Sequence, residues 1–146
     1  MTQTQGQPRS FGAARLLTFR RRHRLTHARE FQAVFAAKLR KSAGPLTVFA
    51  HPTDRAEPRL GLSIGKRVGI AVVRNRLKRQ LREAFRHTRE ELPRPSEEGS
   101  YDLVVSSRPH AALAQTEYRK LFADAVRRAH KEHVKRQRRD APEDKA

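Results

Sequence analysis

The chain has 146 residues, a length that suits one domain with tails, and its 33 Lys and Arg residues against 15 Asp and Glu give a net charge of +18. Such a charge opposes self-association and favours a polyanionic partner, nucleic acid ahead of an anionic membrane. Only 36% of the residues are hydrophobic and none is cysteine, which leaves a core of modest size and excludes disulfides, thiolate nucleophiles and cysteine-ligated zinc.

The N-terminal sequence predicts an arm followed by a helix. Residues 1–22 are basic, without an acid, and indicate a flexible arm rather than a secretory signal, with a transit peptide as the weaker alternative. No apolar run is long enough to cross a bilayer, so we expect a cytoplasmic protein without a membrane partner. Thr26 is a suitable N-cap for a helix over about 27–40, which Gly44 and Pro45 follow as breakers.

The remaining elements alternate between strands and helices. Residues 45–51 and 59–65 have the β-formers and alternation of strands, and a long helix is predicted from Lys66 to about Leu92. A third strand follows at 101–107, and Thr116 caps a last helix over about 117–137.

This order predicts the fold class. We expect an α+β fold with one small mixed sheet and about three helices, in the order α-β-β(-β)-α-β-α. The folded domain covers 23–136, and 137–146 form a disordered tail.

The long helix carries an unusual charge pattern in "VVRNRLKRQLREAFR", residues 72–86. On a helical wheel one face is cationic and the adjoining face is apolar. The cationic face holds Arg74, Lys78, Arg82 and Arg89, flanked by Asn75, Arg79 and Arg86. The apolar face holds Val73, Leu77, Leu81, Ala84, Phe85 and Thr88. Solvated helix faces normally mix acids with bases, and this one hardly does, so we expect a ridge that binds RNA phosphates. A solvated face and a membrane-surface helix are the alternatives.

Aromatic residues suggest a second binding feature. Phe31 and Phe35 are four residues apart on the first helix, and Phe49 lies in the first strand. They belong either to the core or to a platform on which single-stranded bases stack. The residues alone leave both readings open.

No set of residues predicts catalysis by this chain. The acids are scattered, and Asp102 is most simply a polar position on an edge strand. His130 and His133 are three residues apart on the last helix but lack a third metal ligand. We therefore expect an RNA-binding module with no catalytic residue and no metal site of its own.

Residues 59–86, "RLGLSIGKRVGIAVVRNRLKRQLREAFR", closely resemble the signature of the protein subunit of bacterial ribonuclease P. The family's R-N-R-x-K-R-x-x-R core is complete, and "RLTHAREFQAVF" at 24–35 is similar to a second family motif. The matching core residues are Arg74, Asn75, Arg76, Lys78, Arg79 and Arg82.

The resemblance implies a function. In this family a catalytic RNA removes the 5′ leader of precursor tRNA by Mg²⁺-assisted hydrolysis, and the RNA holds most of the Mg²⁺. The six core residues would bind that RNA, with Lys66 and Arg67 beside it, and no protein partner is needed. Phe31, Phe35 and Phe49 would line a cleft for the single-stranded leader. The resemblance also implies a left-handed β-α-β crossover that makes 59–65 and 101–107 parallel.

Two other functions stay open at this point. A general or ribosomal RNA-binding protein, or RNA chaperone, would bind structured RNA without a role in tRNA processing. A protein-only nuclease would cleave without an RNA partner, and the missing carboxylate cluster argues against it.

Overall fold

The computed structural model describes residues 19–140. Most of the predicted arm and most of the predicted tail lie outside these residues, so both stay predictions. The described chain forms three helices and four strands, which confirms the predicted α+β fold. The helices are α1 (Ala28–Ala36), α2 (Ala71–Thr88) and α3 (Gln115–Asp140). The strands are β1 (Arg40–Ala43), β2 (Leu46–Thr53), β3 (Arg59–Ser63) and β4 (Ser100–Ser107).

The four strands form one mixed sheet in the order β1-β2-β4-β3. The β1–β2 hairpin turns at Gly44, whose φ of 59° lies in the left-handed region that glycine tolerates. β2 pairs antiparallel with β4, and β3 pairs parallel with β4, with Leu60 opposite Leu103. The predicted parallel pair is therefore confirmed, and α2 makes the connection between its strands. The left-handed crossover stays a prediction.

The sheet has a thick side and a thin side. On the thick side α2 and α3 pack together over the strands, and Phe85 of α2 meets Phe122 of α3 edge to face at 6.2 Å between ring centroids. This side holds the main core, because alternate residues of every strand point into it. On the thin side, within residues 19–140, α1 and Leu25 of the segment before it cover the sheet through a small cluster around Val34 and Val104.

The first helix is shorter than predicted, and the missed residues form β1. α1 ends at Ala36 because Lys38 adopts a left-handed conformation, with φ of 54°. Arg136 of α3 donates hydrogen bonds to the carbonyls of Ala37 (3.2 Å) and Lys38 (2.7 Å), which satisfies groups that the helix end leaves free. Leu39 then enters the main core from an extended segment rather than from the helix.

The other two helices differ from prediction at their ends. Lys66–Val68 is a separate 3₁₀ turn, and the chain passes through Gly69, with φ of 152°, before α2 begins at Ala71. α2 ends at Thr88, and a 3₁₀ turn, Arg89–Glu91, replaces its predicted last turn. α3 starts at Gln115 and continues to Asp140, beyond the predicted end at 137.

Candidate RNA interface

The apolar face of α2 is buried as predicted, with one exception. Leu77, Leu81, Ala84, Phe85 and Thr88 are buried against the sheet and α3. Val73 was predicted to join them, but it is 39% exposed. The neighbouring Ile70 and Val72 are exposed as well.

The adjoining face of α2 is the predicted cationic ridge, and Arg76 lies farther round the helix, beside Val73 and Leu77. Asn75, Arg76 and Arg79 are exposed, and Arg74, Lys78 and Arg82 are half-buried. We call these six residues the α2 ridge. Lys66 and Arg67 are exposed in the 3₁₀ turn that precedes it, so the structure places them beside the ridge rather than on its helix.

The α2 ridge has no internal counter-charge within residues 19–140. Arg86 forms an ion pair with Glu83, at 2.6 Å, but the five cations of the ridge form none with a described acid. Burial, and then the nearby Arg24 and Arg79, lower the pKa of Arg82. Keeping Arg82 charged therefore costs free energy in the unbound protein. Such a cluster of like charges gains free energy when a phosphate backbone approaches it.

Arg89 was predicted on the cationic face, and this was wrong. Its side chain is buried, and its guanidinium donates a hydrogen bond to Nδ1 of His23 at 3.0 Å. Arg89 is buried because the N-terminal segment packs on this end of α2, with Phe19 against Phe85 and His23 against Arg89. His23 also accepts from the Arg20 N–H and donates from Nε2 to Glu57 at 2.7 Å, which fixes its neutral form. Burial, and then Arg89, lower the pKa of His23.

Further contacts hold the segment before α1 against β3 and α2. Leu25 donates its N–H to the Leu60 carbonyl at 3.0 Å, and Phe19 packs edge to face on Phe85. Arg24 lies over the Phe19 ring, 5.1 Å from its centroid. Arg24 thereby reaches a cleft that Lys78 and Arg82 of the ridge also line.

The predicted aromatic residues lie on the thin side of the sheet, where α1 crosses it. Phe35 and Phe49 are in edge-to-face contact with centroids 4.9 Å apart, and Phe35 is partly exposed. The Arg40 guanidinium lies 5.9 Å from the centroid of Phe49. Phe31 packs differently, because its ring lies directly over Gly61 in the small core cluster. All three rings are at least partly accessible, because Phe31 and Phe49 are half-buried and Phe35 is exposed, and Phe35 and Phe49 form an aromatic pair.

A row of hydroxyls crosses the same side of the sheet. The strand register places Ser42, Thr47, Ser106 and Ser63 opposite one another on the four strands. Ser42 and Thr47 are hydrogen-bonded at 2.9 Å. The row lies two residues along the strands from the row that contains Phe49. The chain continues from Ser63 at the end of β3 to the exposed Lys66. Together the aromatic pair and the hydroxyl row form a surface we call the sheet groove.

An ion network holds α1 on the sheet beside this groove. Arg59 of β3 binds both oxygens of Asp102, at 2.9 and 2.7 Å, and donates to Glu30 of α1 at 3.0 Å. The other oxygen of Glu30 accepts the N–H groups of Thr26 and His27, which caps the helix. These backbone bonds, with Arg59, lower the pKa of Glu30 to about 2. Asp102 was predicted on an edge strand, and this was wrong, because β4 is an inner strand and Asp102 is buried.

The sequence missed two parts of this surface. Arg24 was visible only as one cation among many, because its place beside Lys78 depends on the contact between the N-terminal segment and β3. The hydroxyl row joins residues far apart in the chain, and only the strand register brings them together. No local sequence signal could have shown it.

The described carboxylates do not fit a magnesium or zinc site. Within residues 19–140 no three His, Asp or Glu side chains converge. His130, suggested above as one of a pair of metal ligands, forms a hydrogen bond from Nδ1 to the Tyr101 hydroxyl at 2.8 Å. His133 packs on the edge of the same Tyr101 ring. Burial lowers the pKa of both histidines.

Across residues 19–140, none of the helices combines the length and apolar character that spanning a bilayer requires.

Comparison with known proteins gives the same family at three levels. The family model described as Ribonuclease P matches residues 19–130. The "Ribonuclease P protein component" of Stutzerimonas stutzeri is 41% identical over 113 residues, which cover 75% of this chain and 82% of that protein. The protein of the same name from Bacillus cereus is 30% identical over 120 residues, covering 80% and 99%. The solved ribonuclease P protein of Thermotoga maritima superposes with a TM-score of 0.59 at 27% identity, covering 72% of this chain and 96% of that one.

Proposed function

The chain belongs to the ribonuclease P protein family, and from this we propose that it binds the catalytic RNA through the α2 ridge and the 5′ leader of precursor tRNA in the sheet groove. As a ribonuclease P protein component it is an RNA-binding subunit of a tRNA-processing ribonucleoprotein. The complex then removes the leader by hydrolysis, which gives the mature 5′ end of the tRNA.

One observation carries the proposal: two different RNA-binding surfaces lie next to each other. The α2 ridge consists mainly of cationic side chains, which suit the phosphates of a folded RNA. The sheet groove offers a partly exposed ring pair, an Arg and a row of hydroxyls, which suit the bases and sugars of a single strand. A protein that touches both surfaces at once would bridge catalyst and substrate.

We assign the chemistry to the RNA subunit. The chain's described acids do not converge, and several are already engaged by Arg or His. We therefore expect the RNA subunit to carry out the hydrolysis and to hold the Mg²⁺. The chain's contribution is to hold the leader and lower the net negative charge around the joined RNAs, which favours Mg²⁺-dependent cleavage when Mg²⁺ is scarce.

Cleavage of a precursor tRNA at low Mg²⁺ tests the assignment of roles. The reaction is run with protein alone, with ribonuclease P RNA alone, and with both. We expect cleavage at the mature 5′ end from the mixture only. Cleavage by protein alone would place the active site in this chain, and binding without added activity would favour an RNA chaperone.

Substitution of the aromatic pair tests the groove. Phe35→Ala and Phe49→Ala each remove a ring on which a base can stack, a contact that is worth about 1–3 kcal/mol. We expect the holoenzyme to bind precursor tRNA about 5- to 150-fold more weakly, with mature tRNA binding unchanged. Equal losses for both tRNAs would contradict a leader site in the sheet groove.

A further inference from the structure

A second cationic surface lies on α3, away from the α2 ridge. Arg127, Lys131, Lys135 and Arg138 are exposed and, at spacings of four, four and three, share one helix face. We call them the α3 ridge. Lys41 of β1 lies beside the last three of these residues at the rim of a shallow groove.

The acids of α3 do not neutralise this ridge. Asp124 pairs with Arg128 at 3.0 Å, and Glu132 pairs with Arg136 at 3.4 Å and faces Lys41 at 3.9 Å. None of the four residues of the α3 ridge forms a hydrogen bond or ion pair through its side chain with another residue in the part of the chain that the structure describes. Neighbouring like charges on one helix face cost a few tenths of a kcal/mol per pair.

Helix stability does not account for the ridge. Cations stabilise a helix through its dipole only within the last turn. Arg127 and Lys131 lie well before the end of α3 at Asp140. The family model ends at residue 130, so most of the ridge lies on a part of the helix beyond the family match. A polyanionic partner remains as the explanation for the charge.

The surroundings of the α3 ridge indicate which RNA this is. α2 and α3 pack side by side on the thick side of the sheet, joined by the Phe85–Phe122 contact. The α3 ridge lies towards β1, and the residues that line its groove include no Phe, Tyr or Trp. The sheet groove, in contrast, offers the rings of Phe35 and Phe49. A folded RNA that covers α2 can therefore bind the α3 ridge through its phosphates, whereas a single-stranded leader gains base stacking only in the sheet groove.

Building on the proposed function, we propose that the α3 ridge binds phosphates of a second segment of the catalytic RNA. The protein then holds that RNA at two places on its helical layer, and the leader occupies the sheet groove. The contact is to the backbone and is independent of sequence, because Lys and Arg without aromatic neighbours recognise charge rather than bases.

Salt-dependent binding of ribonuclease P RNA tests the proposal. The double variant Lys131→Gln/Lys135→Gln removes two charges and keeps helix propensity. We expect weaker binding and a slope of log affinity against log salt that is smaller by about 1.4–1.8, since each phosphate contact contributes about 0.7–0.9. The matched control is Arg21→Gln/Arg55→Gln, which removes two exposed charges elsewhere and should leave the slope unchanged.

A third variant separates this inference from the proposed function. Arg76→Gln/Arg79→Gln neutralises two exposed positions of the α2 ridge. If it weakens binding and the α3 variant does not, the α3 proposal fails and the proposed function stands. If neither weakens binding, both fail. If the off-ridge control lowers the slope as much as the α3 variant, only net charge matters and the α3 proposal is wrong.

Cross-linking identifies the RNA in contact. The chain has no cysteine, so Lys135→Cys and Arg76→Cys each create a unique attachment point for a photo-cross-linker. In the holoenzyme with precursor tRNA, we expect position 135 to label the catalytic RNA at nucleotides that differ from those labelled from position 76. Labelling of the precursor tRNA alone, or of neither RNA, would overturn the proposal.

Discussion

The Glu30 carboxylate makes a quantitative prediction about how α1 is held on the sheet. Its pKa falls from 4.5 to about 2 because backbone N–H groups at the helix start, and then Arg59, favour the charged form. Its side chain is 24% exposed, so solvent screens the Arg59 pair only in part. A shift of this size corresponds to about 3 kcal/mol of folding free energy at neutral pH.

The sign of the pH dependence follows from the direction of the shift. Because the folded-state pKa is lowered, the unfolded chain takes up a proton first as the pH falls. The stabilisation is therefore complete well above pH 4.5 and is lost as the pH drops towards 2. At pH 3 about 1.4 kcal/mol should remain.

The substitution Glu30→Gln removes the charge but keeps an oxygen that can accept the N–H groups of Thr26 and His27. We expect urea unfolding at pH 7 to show a loss of about 3 kcal/mol, and the difference from the unsubstituted protein to shrink to about 1.4 kcal/mol at pH 3. Glu97→Gln, at an exposed loop acid, is the control and should cost less than about 0.5 kcal/mol. A Glu30 variant as stable as the Glu97 variant would refute the reasoning.

Two further predictions concern the packing around the interface. A Cβ on Gly61 would lie 2.7 Å from Cζ of Phe31, so Gly61→Ala should displace that ring, cost about 1–3 kcal/mol in urea unfolding and weaken precursor tRNA binding. Gly65→Ala, where a Cβ meets nothing within 4 Å, is the control, and equal effects would contradict the clash. The lowered pKa of buried His23 means that the unfolded state binds its proton first, so stability should fall as the pH drops below 6.5. A thermal midpoint that is flat from pH 7.5 to 5 would show that His23 is not held neutral, and His23→Gln should reduce the slope.

The sequence predicted those parts of the fold that local patterns determine. The apolar stripe of α2 and the β-formers of β2, β3 and β4 gave the element order and, with the family resemblance, the parallel pairing. β1 was missed because Arg40–Ala43, "RKSA", contains no β-former and only extends the sheet by pairing with β2. The left-handed Lys38 that ends α1 is stabilised by Arg136, almost a hundred residues away, which no local pattern can reveal.

The binding residues divide in the same way. Most of the α2 ridge was predictable because helical periodicity places Arg74, Lys78 and Arg82 on one face with Asn75 and Arg79 beside it. Arg76 lies on another side of the helix and was indicated only by the family resemblance. The exposure of Phe35 and the half-burial of Phe31 were not predictable, since they depend on where α1 crosses the sheet and on the missing side chain at Gly61. Arg89 shows the limit of periodicity, because the N-terminal segment covers its end of α2 and brings it into a buried network with His23, a contact between residues 66 positions apart.

The placement of the few acids explains how a chain of such charge can fold and still bind RNA. Glu30 and Asp102 both bind Arg59, joining α1, β3 and β4, and Glu57 joins the N-terminal segment to the β2–β3 turn through His23. These acids offset the charge where elements meet, so repulsion is relieved inside the fold. The cations of the α2 and α3 ridges form no ion pair with an acid in the described part of the chain, so a polyanionic partner relieves their repulsion. Folding and RNA binding therefore use separate sets of cations, and neutralising ridge cations should weaken binding without unfolding the domain.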